Sequence, residues 1–157
     1  MITHLPEPAP ANHFLQEHAH RLLSSLRHWT GREVIDPTLS LEQQAQQLFH
    51  ASFAVASHDA SADPVLNYGN QAALQLWEAS WPEFVSMPSR LTAETITQEE
   101  RRRLLAEVAA RGFIENYQGI RISAKGRRFM IKQATVWNLL NEADEYCGQA
   151  VIFRDWH

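Results

Sequence analysis

The stretch Arg127–Leu140, RRFMIKQATVWNLL, constrains the fold more than any other part of this chain. Its middle is β-branched and aromatic, and turn-forming segments bound it: AKG before, NEADEYCG after. A period of two puts Phe129, Ile131, Gln133, Thr135 and Trp137 on one face, with Met130, Ala134 and Val136 on the other. A strand apolar on both faces belongs inside a sheet, with material packed above and below it. ENYQGIRIS before it and GQAVIFRDW after it are further strand candidates, so the C-terminal third reads as an antiparallel three-strand meander.

The order upstream of the meander is helix, helix, strand, strand, helix, short helix, helix. Residues 1–11 hold Pro6, Pro8 and Pro10 and read as a flexible tail. Asn12 is placed to cap a first helix and Gly31 to end it. Phe14, Leu15, Leu22, Leu26 and Trp29 make its apolar stripe. Ser40 and Gln43 have the spacing of a capping box for a second helix, whose apolar face is Leu41, Ala45, Leu48 and Phe49. SFAVASHD and VLNYGN read as two short strands. Asn70 then caps QAALQLWEAS, in which Ala73, Leu74 and Trp77 share a face. Pro82 and Pro88 break up the next stretch. Thr97 reads as the cap of QEERRRLLAEVAARG, which buries Leu104, Leu105 and Val108 and ends at Gly112.

Two strands, a helical middle and a meander give an α+β fold. Its five-stranded antiparallel sheet carries helices on one face and is preceded by two N-terminal helices; the meander must pair with the first two strands non-locally. The boundaries read as a tail over 1–11, N-terminal helices over 12–50 and a sheet-containing domain over 51–157. At 157 residues the chain is long enough to bury roughly 70% of its unfolded surface without a staple. The single cysteine, Cys147, rules out an internal disulfide and fits a reducing compartment. No apolar run nears the ~20 residues of a membrane span, and MITHLPEPAPANH lacks the pattern of a signal peptide, so a cytoplasmic protein without membrane contact is expected. A net charge of −4 argues against general nucleic-acid binding.

NYGNQAALQLWE resembles the strand-to-helix junction of PAS domains, where an Asn after the second strand starts the helix. MPSRLTAE, GFIENYQGIRIS, GRRFMIKQATVWNLL and GQAVIFRDW together resemble the MEKHLA domain family, over about residues 40–157. The resemblance implies a PAS-like fold and a sensing or interaction role, with no established catalysis. That family occurs as small stand-alone bacterial proteins, the form this chain resembles, and at the C-terminus of plant class III homeodomain-leucine-zipper factors. No homeodomain or zipper is read in these residues, so the plant DNA-binding role is not expected here.

In PAS domains a ligand pocket lies between the sheet and the middle helices, so the resemblance directs attention to side chains there. Gln133 is a mid-strand amide in an otherwise apolar stripe, and a buried amide needs partners that a ligand could supply. The alternative is that it bonds neighbouring side chains or sits on an exposed face. Arg121 shares a strand face with Tyr117 and could grip a carboxylate; a cross-strand acid is the alternative partner. Tyr68, Trp77, Phe129 and Trp137 are aromatic candidates for the pocket wall, and ordinary core is their simpler role.

Known PAS cofactors are disfavoured. A covalent flavin needs a helical cysteine, whereas Cys147 falls in the loop before the last strand, and the helix before the meander has no histidine to ligate haem. His13, His18, His20 and His28 lack the spacing of a metal site. Arg101, Arg102 and Arg103 read as a solvated face paired with Glu99, Glu100 and Glu107. No GxSxG or HExxH occurs.

The leading reading is a sensory module that binds a small apolar or aromatic molecule and signals through a homodimer or an effector protein. Leu15, Leu22, Leu26 and Trp29 would pack on the sheet's outer face or against that partner. One rival is an interaction module with a filled core and no ligand. Another is a small α+β-barrel enzyme with a pocket His/Asp pair, for which His58 in HDASAD is the candidate.

Overall fold

The computed structural model describes residues 5–157, with side-chain positions for all of these except residues 95–97. Six strands form one antiparallel sheet: β1 (Ala54–His58), β2 (Leu66–Gly69), β3 (Phe113–Ile122), β4 (Arg128–Leu140), β5 (Tyr146–Phe153) and β6 (Asp155–Trp156). Their spatial order is β2-β1-β5-β4-β3, so the meander joins the first hairpin through β1 and β5. The sixth strand is a two-residue return onto β4, pairing Ile131 with Trp156 and Lys132 with Asp155.

Five helices cover the sheet: α1 (Gln16–Thr30), α2 (Leu41–His50), α3 (Gln71–Trp77), α4 (Trp81–Phe84) and α5 (Thr95–Arg111). Helices α3 to α5 lie on one face, where Trp77, Phe84, Leu104 and Val108 meet Ala56, Ile131, Ala134 and Val136. Helices α1 and α2 lie on the other, where Leu22, Leu26, Leu48 and Phe49 meet Val55, Trp137, Leu139 and Ile152. The α1 stripe is therefore spent inside its own chain. Ser25 Oγ accepts a hydrogen bond from Leu140 N at 2.9 Å, and Trp29 Nε1 donates to Asn138 O at 3.0 Å. The Trp29 ring also lies over Gly112, whose φ of 99° and missing side chain let it approach; a Cβ there would run into the indole.

Several local expectations need correction. α1 begins at Gln16, because His13, Phe14 and Leu15 take left-handed φ angles of 56°, 54° and 53° that no α-helix allows. Asn12 lies inside a preceding 3-10 turn (Pro10–Leu15) whose N-cap is Ala9, and its Oδ1 accepts from Ala9 N at 3.0 Å. Ser40 and Gln43 do form the capping box of α2, but Leu41 is exposed. α5 starts at Thr95 with Glu94 at its N-cap, three residues before the expected cap; the side chain of Thr97 lies outside those described.

The largest correction is in β4. Gln133 has φ 50°, which makes a bulge and reverses the alternation of faces. Phe129 and Ile131 face α3–α5, and past the bulge so do Ala134 and Val136. Thr135 and Trp137 are thereby turned away from Phe129 and Ile131, rather than sharing their face. Asn116, with φ 57°, makes the matching irregularity in β3.

Candidate ligand-binding site

A cavity of about 70 Å³ lies between the sheet and α3–α5. Its wall is mostly apolar, with Ala56, Leu66, Phe84, Leu104, Ile131 and Val136 among its residues. The polar side chains among its lining residues contribute only a small part of that wall: Ser57 and His58 from β1, Ser89 and Thr92 before α5, Arg101 from α5, Tyr117 and Arg121 from β3, and Gln149 from β5.

Alternation along β3 places Tyr117, Gly119 and Arg121 on one face. Gly119 leaves the space that the other two occupy, since a Cβ there would run into the Tyr117 hydroxyl. Arg121 Nη2 donates to Tyr117 Oη at 3.0 Å, Nη1 donates to Ile120 O at 2.9 Å, and the guanidinium carbon lies 5.5 Å from the tyrosine ring centre. Arg101 Nη2 donates to Ser89 Oγ at 2.6 Å. Burial, and secondarily the Arg121 charge, lowers the Arg101 pKa to about 10. Among the described residues neither guanidinium has an ion-pair partner; Asp63, which acts on Arg101 at longer range, is itself paired with Arg90 at 3.2 Å.

His58 Nδ1 lies 2.8 Å from the carbonyl of Asp59, so that nitrogen carries the proton and Nε2 is a bare acceptor. Burial is the main influence on this ring and lowers its pKa, which keeps it neutral near pH 7. Nε2 of His58 is buried and has no partner, as are Gln149 Oε1 and Trp77 Nε1. The Gln149 amide is held by its nitrogen, which donates to Leu105 O at 3.0 Å and Asn138 Oδ1 at 3.1 Å.

Of the seven residues expected at a pocket, Trp77, Tyr117 and Arg121 line this cavity. Phe129 stands outside it, edge-on to Trp77 with ring centres 5.1 Å apart. Trp137 faces α1 because of the bulge. Gln133 is exposed at that bulge, in a polar cleft with Arg32, Glu115 and Asn116. Tyr68 also belongs to the α1 face, where it stacks on His18 with centroids 5.4 Å apart and meets the Trp81 edge at 5.8 Å. There His18 Nε2 lies 3.0 Å from Ser57 Oγ, which donates its own proton to Asn67 Oδ1 at 2.6 Å. Burial, then Arg21, lowers the His18 pKa to about 4, and burial raises that of Tyr68.

Arg101 was expected on a solvated face and is instead buried, with only Arg102 and Arg103 exposed and paired with Glu99. The signal was present: Arg101, Leu104, Leu105 and Val108 stand at i, i+3, i+4 and i+7 of one helix face. The His/Asp pair of the enzyme reading is not formed, because the Asp59 carboxylate accepts from Ser61 N, Ser61 Oγ and Val65 N while His58 faces the backbone. Among the described residues no group of three or more His, Cys, Asp and Glu side chains could hold a metal ion. No described helix is long and apolar enough to cross a membrane.

Residues 16–157 match the MEKHLA domain. The chain belongs to the MEKHLA domain family. Its curated relatives include two homeobox-leucine zipper proteins of Arabidopsis thaliana. ATHB-9 is 30% identical over 116 residues, 71% of this chain and 13% of the relative. ATHB-14 is 26% identical over 134 residues, 81% of this chain and 15% of the relative. HOX32 of Oryza sativa subsp. indica is 24% identical over 96% of this chain and 17% of its own length. The MEKHLA chain therefore spans less than a fifth of each plant protein.

Among solved structures, the PAS domain of a Colwellia psychrerythraea protein superposes with a TM-score of 0.63 at 16% identity, covering 73% of this chain and 95% of that one. An RNA-binding light-oxygen-voltage receptor gives 0.62 at 17% identity, covering 76% and 34%. These likenesses establish a PAS/LOV-like fold for the MEKHLA chain. The cavity residues do not fit a flavin. A ligand of that size needs a pocket of roughly 300 Å³ or more, against about 70 Å³ here. The single cysteine, Cys147, lies within β5, where it packs against the α1 side, half-buried, and burial raises its pKa.

Proposed function

We propose that this MEKHLA domain is a sensory module that binds a small molecule in the cavity between the sheet and α3–α5, and passes on occupancy through contacts with a second copy or an effector. The observation that carries this reading is the set of three buried polar atoms in the cavity lining without partners: His58 Nε2, Gln149 Oε1 and Trp77 Nε1. Leaving such groups unpaired costs about 1–3 kcal/mol each. A bound molecule, or water held in its place, meets that need. The reading is non-enzymatic.

A thermal-shift screen of small polar and apolar metabolites tests it, run on the wild type beside Ala56→Leu, which fills the cavity from β1. Compounds that raise the wild-type Tm and not the variant's support cavity binding. A screen in which no compound separates the two proteins counts against it. The small cavity volume favours one rival, a protein-interaction module whose interior is complete on its own; that rival expects no such compound.

A further inference from the structure

The cavity carries a charge asymmetry that an apolar or aromatic ligand would not explain. Arg101 is 9% exposed and Arg121 8%, and both line it. Burial holds Arg101 below its usual range, and the like charge of Arg121 adds to that effect. A buried charge normally has an opposite charge beside it. Among the described residues each arginine has only neutral partners, Ser89 for Arg101, Tyr117 and Ile120 O for Arg121. Arg101 uses one of its five N–H groups in the bonds described, which leaves a guanidinium edge free for a carboxylate.

We infer that the ligand of this cavity is a small organic carboxylate, held by Arg101 and Arg121 with its apolar part against Ala56, Phe84 and Val136. This rests on the proposed binding function of the same cavity. The volume limits the size: about 70 Å³ takes roughly five to seven non-hydrogen atoms, counting about 10–15 Å³ for each. The mostly apolar wall disfavours inorganic phosphate, which offers nothing to bury there. His58 Nε2 and Gln149 Oε1 both accept, so a hydroxyl on the acid would satisfy one of them.

Isothermal titration of the full chain with propionate and lactate, beside propionamide, lactamide and inorganic phosphate, tests the inference. The expected result is binding of at least one acid, about tenfold or more tighter than its amide, lost in Arg101→Met. Arg101→Met should also make the ligand-free protein as stable as the wild type or more so, because it removes an unpaired buried charge; a large destabilisation would assign Arg101 a structural role and overturn the inference. Amides that bind as well as the acids, or phosphate that binds in their place, would also overturn it. Xenon-induced amide shifts in the wild type distinguish failure of the carboxylate assignment from failure of the binding cavity. If no acid binds but xenon shifts residues of the lining, the carboxylate assignment fails and the binding cavity stands. If neither the acids nor xenon enters, both fail.

Discussion

The buried Asn70 side chain ties together elements that are distant in sequence. Its Oδ1 accepts from Val55 N at 3.0 Å and caps α3 at Ala73 N, 3.1 Å away. Its Nδ2 donates to Leu48 O at 3.1 Å and Phe53 O at 2.8 Å, so one buried amide joins α2, β1 and α3. Asn70→Ala removes the cap and strands buried backbone groups, at an expected cost of about 3 kcal/mol or more by urea denaturation. The cap was readable from the sequence, since Asn before a helical pattern has a known use; the other three bonds were not, because they reach residues brought near only by the fold. His18 makes a pH prediction. Its folded pKa of about 4 lies below the unfolded value near 6.5, so the unfolded chain binds the extra proton between them. The stability tied to its neutral form is present in full above pH 6.5 and is lost as pH falls toward 4, by about 3 kcal/mol at most. Denaturation midpoints measured from pH 7 to 4.5 should fall, and His18→Gln should flatten the slope. An unchanged slope in the variant would show that other groups govern it.

At the scale of elements, β4 and α5 show where pattern reading succeeds and where it stops. The existence of β4, its length and its place inside the sheet followed from an apolar run between turn signals. The face of each residue beyond Gln133 did not, because a bulge at a non-glycine residue leaves no mark in the local sequence. Gln133→Gly should relieve the positive φ and leave stability unchanged or raised by about 1 kcal/mol, while Gln133→Val should cost about 1–2 kcal/mol. For α5 the fault lay in treating Arg101–Arg103 as one charged run. Taken singly, Arg101 stands in the buried stripe of Leu104 and Val108. The α1 stripe was legible as apolar, and the structure supplies its partner, β4 of the same chain. Leu26→Ala should therefore destabilise the protein by about 2–5 kcal/mol, and should not change its oligomeric state by sedimentation. A dissociated but otherwise stable variant would instead place α1 at an interface.

For the whole molecule, one sheet separates two interiors of different character. The α1 side is filled by Trp137, Tyr68, Leu22 and Leu26. The α5 side keeps a cavity lined by two arginines without acids; buried polar atoms without partners occur on both sides, His58 Nε2, Gln149 Oε1 and Trp77 Nε1 here and Tyr68 Oη and Trp137 Nε1 on the α1 side. The order of elements and the non-local pairing were legible in the sequence because layer logic permits few arrangements of such a string. The division of labour between the faces was not, since it depends on which helix covers which side. The central claim is that the α5-side cavity holds a small molecule. Native mass spectrometry of the purified full chain, followed by denaturing mass spectrometry of what is released, tests it most directly when Ala56→Leu is run in parallel. A small mass bound one per chain is expected in the wild type and none in the variant. The bare chain mass from both, or the same cargo on both, would contradict it.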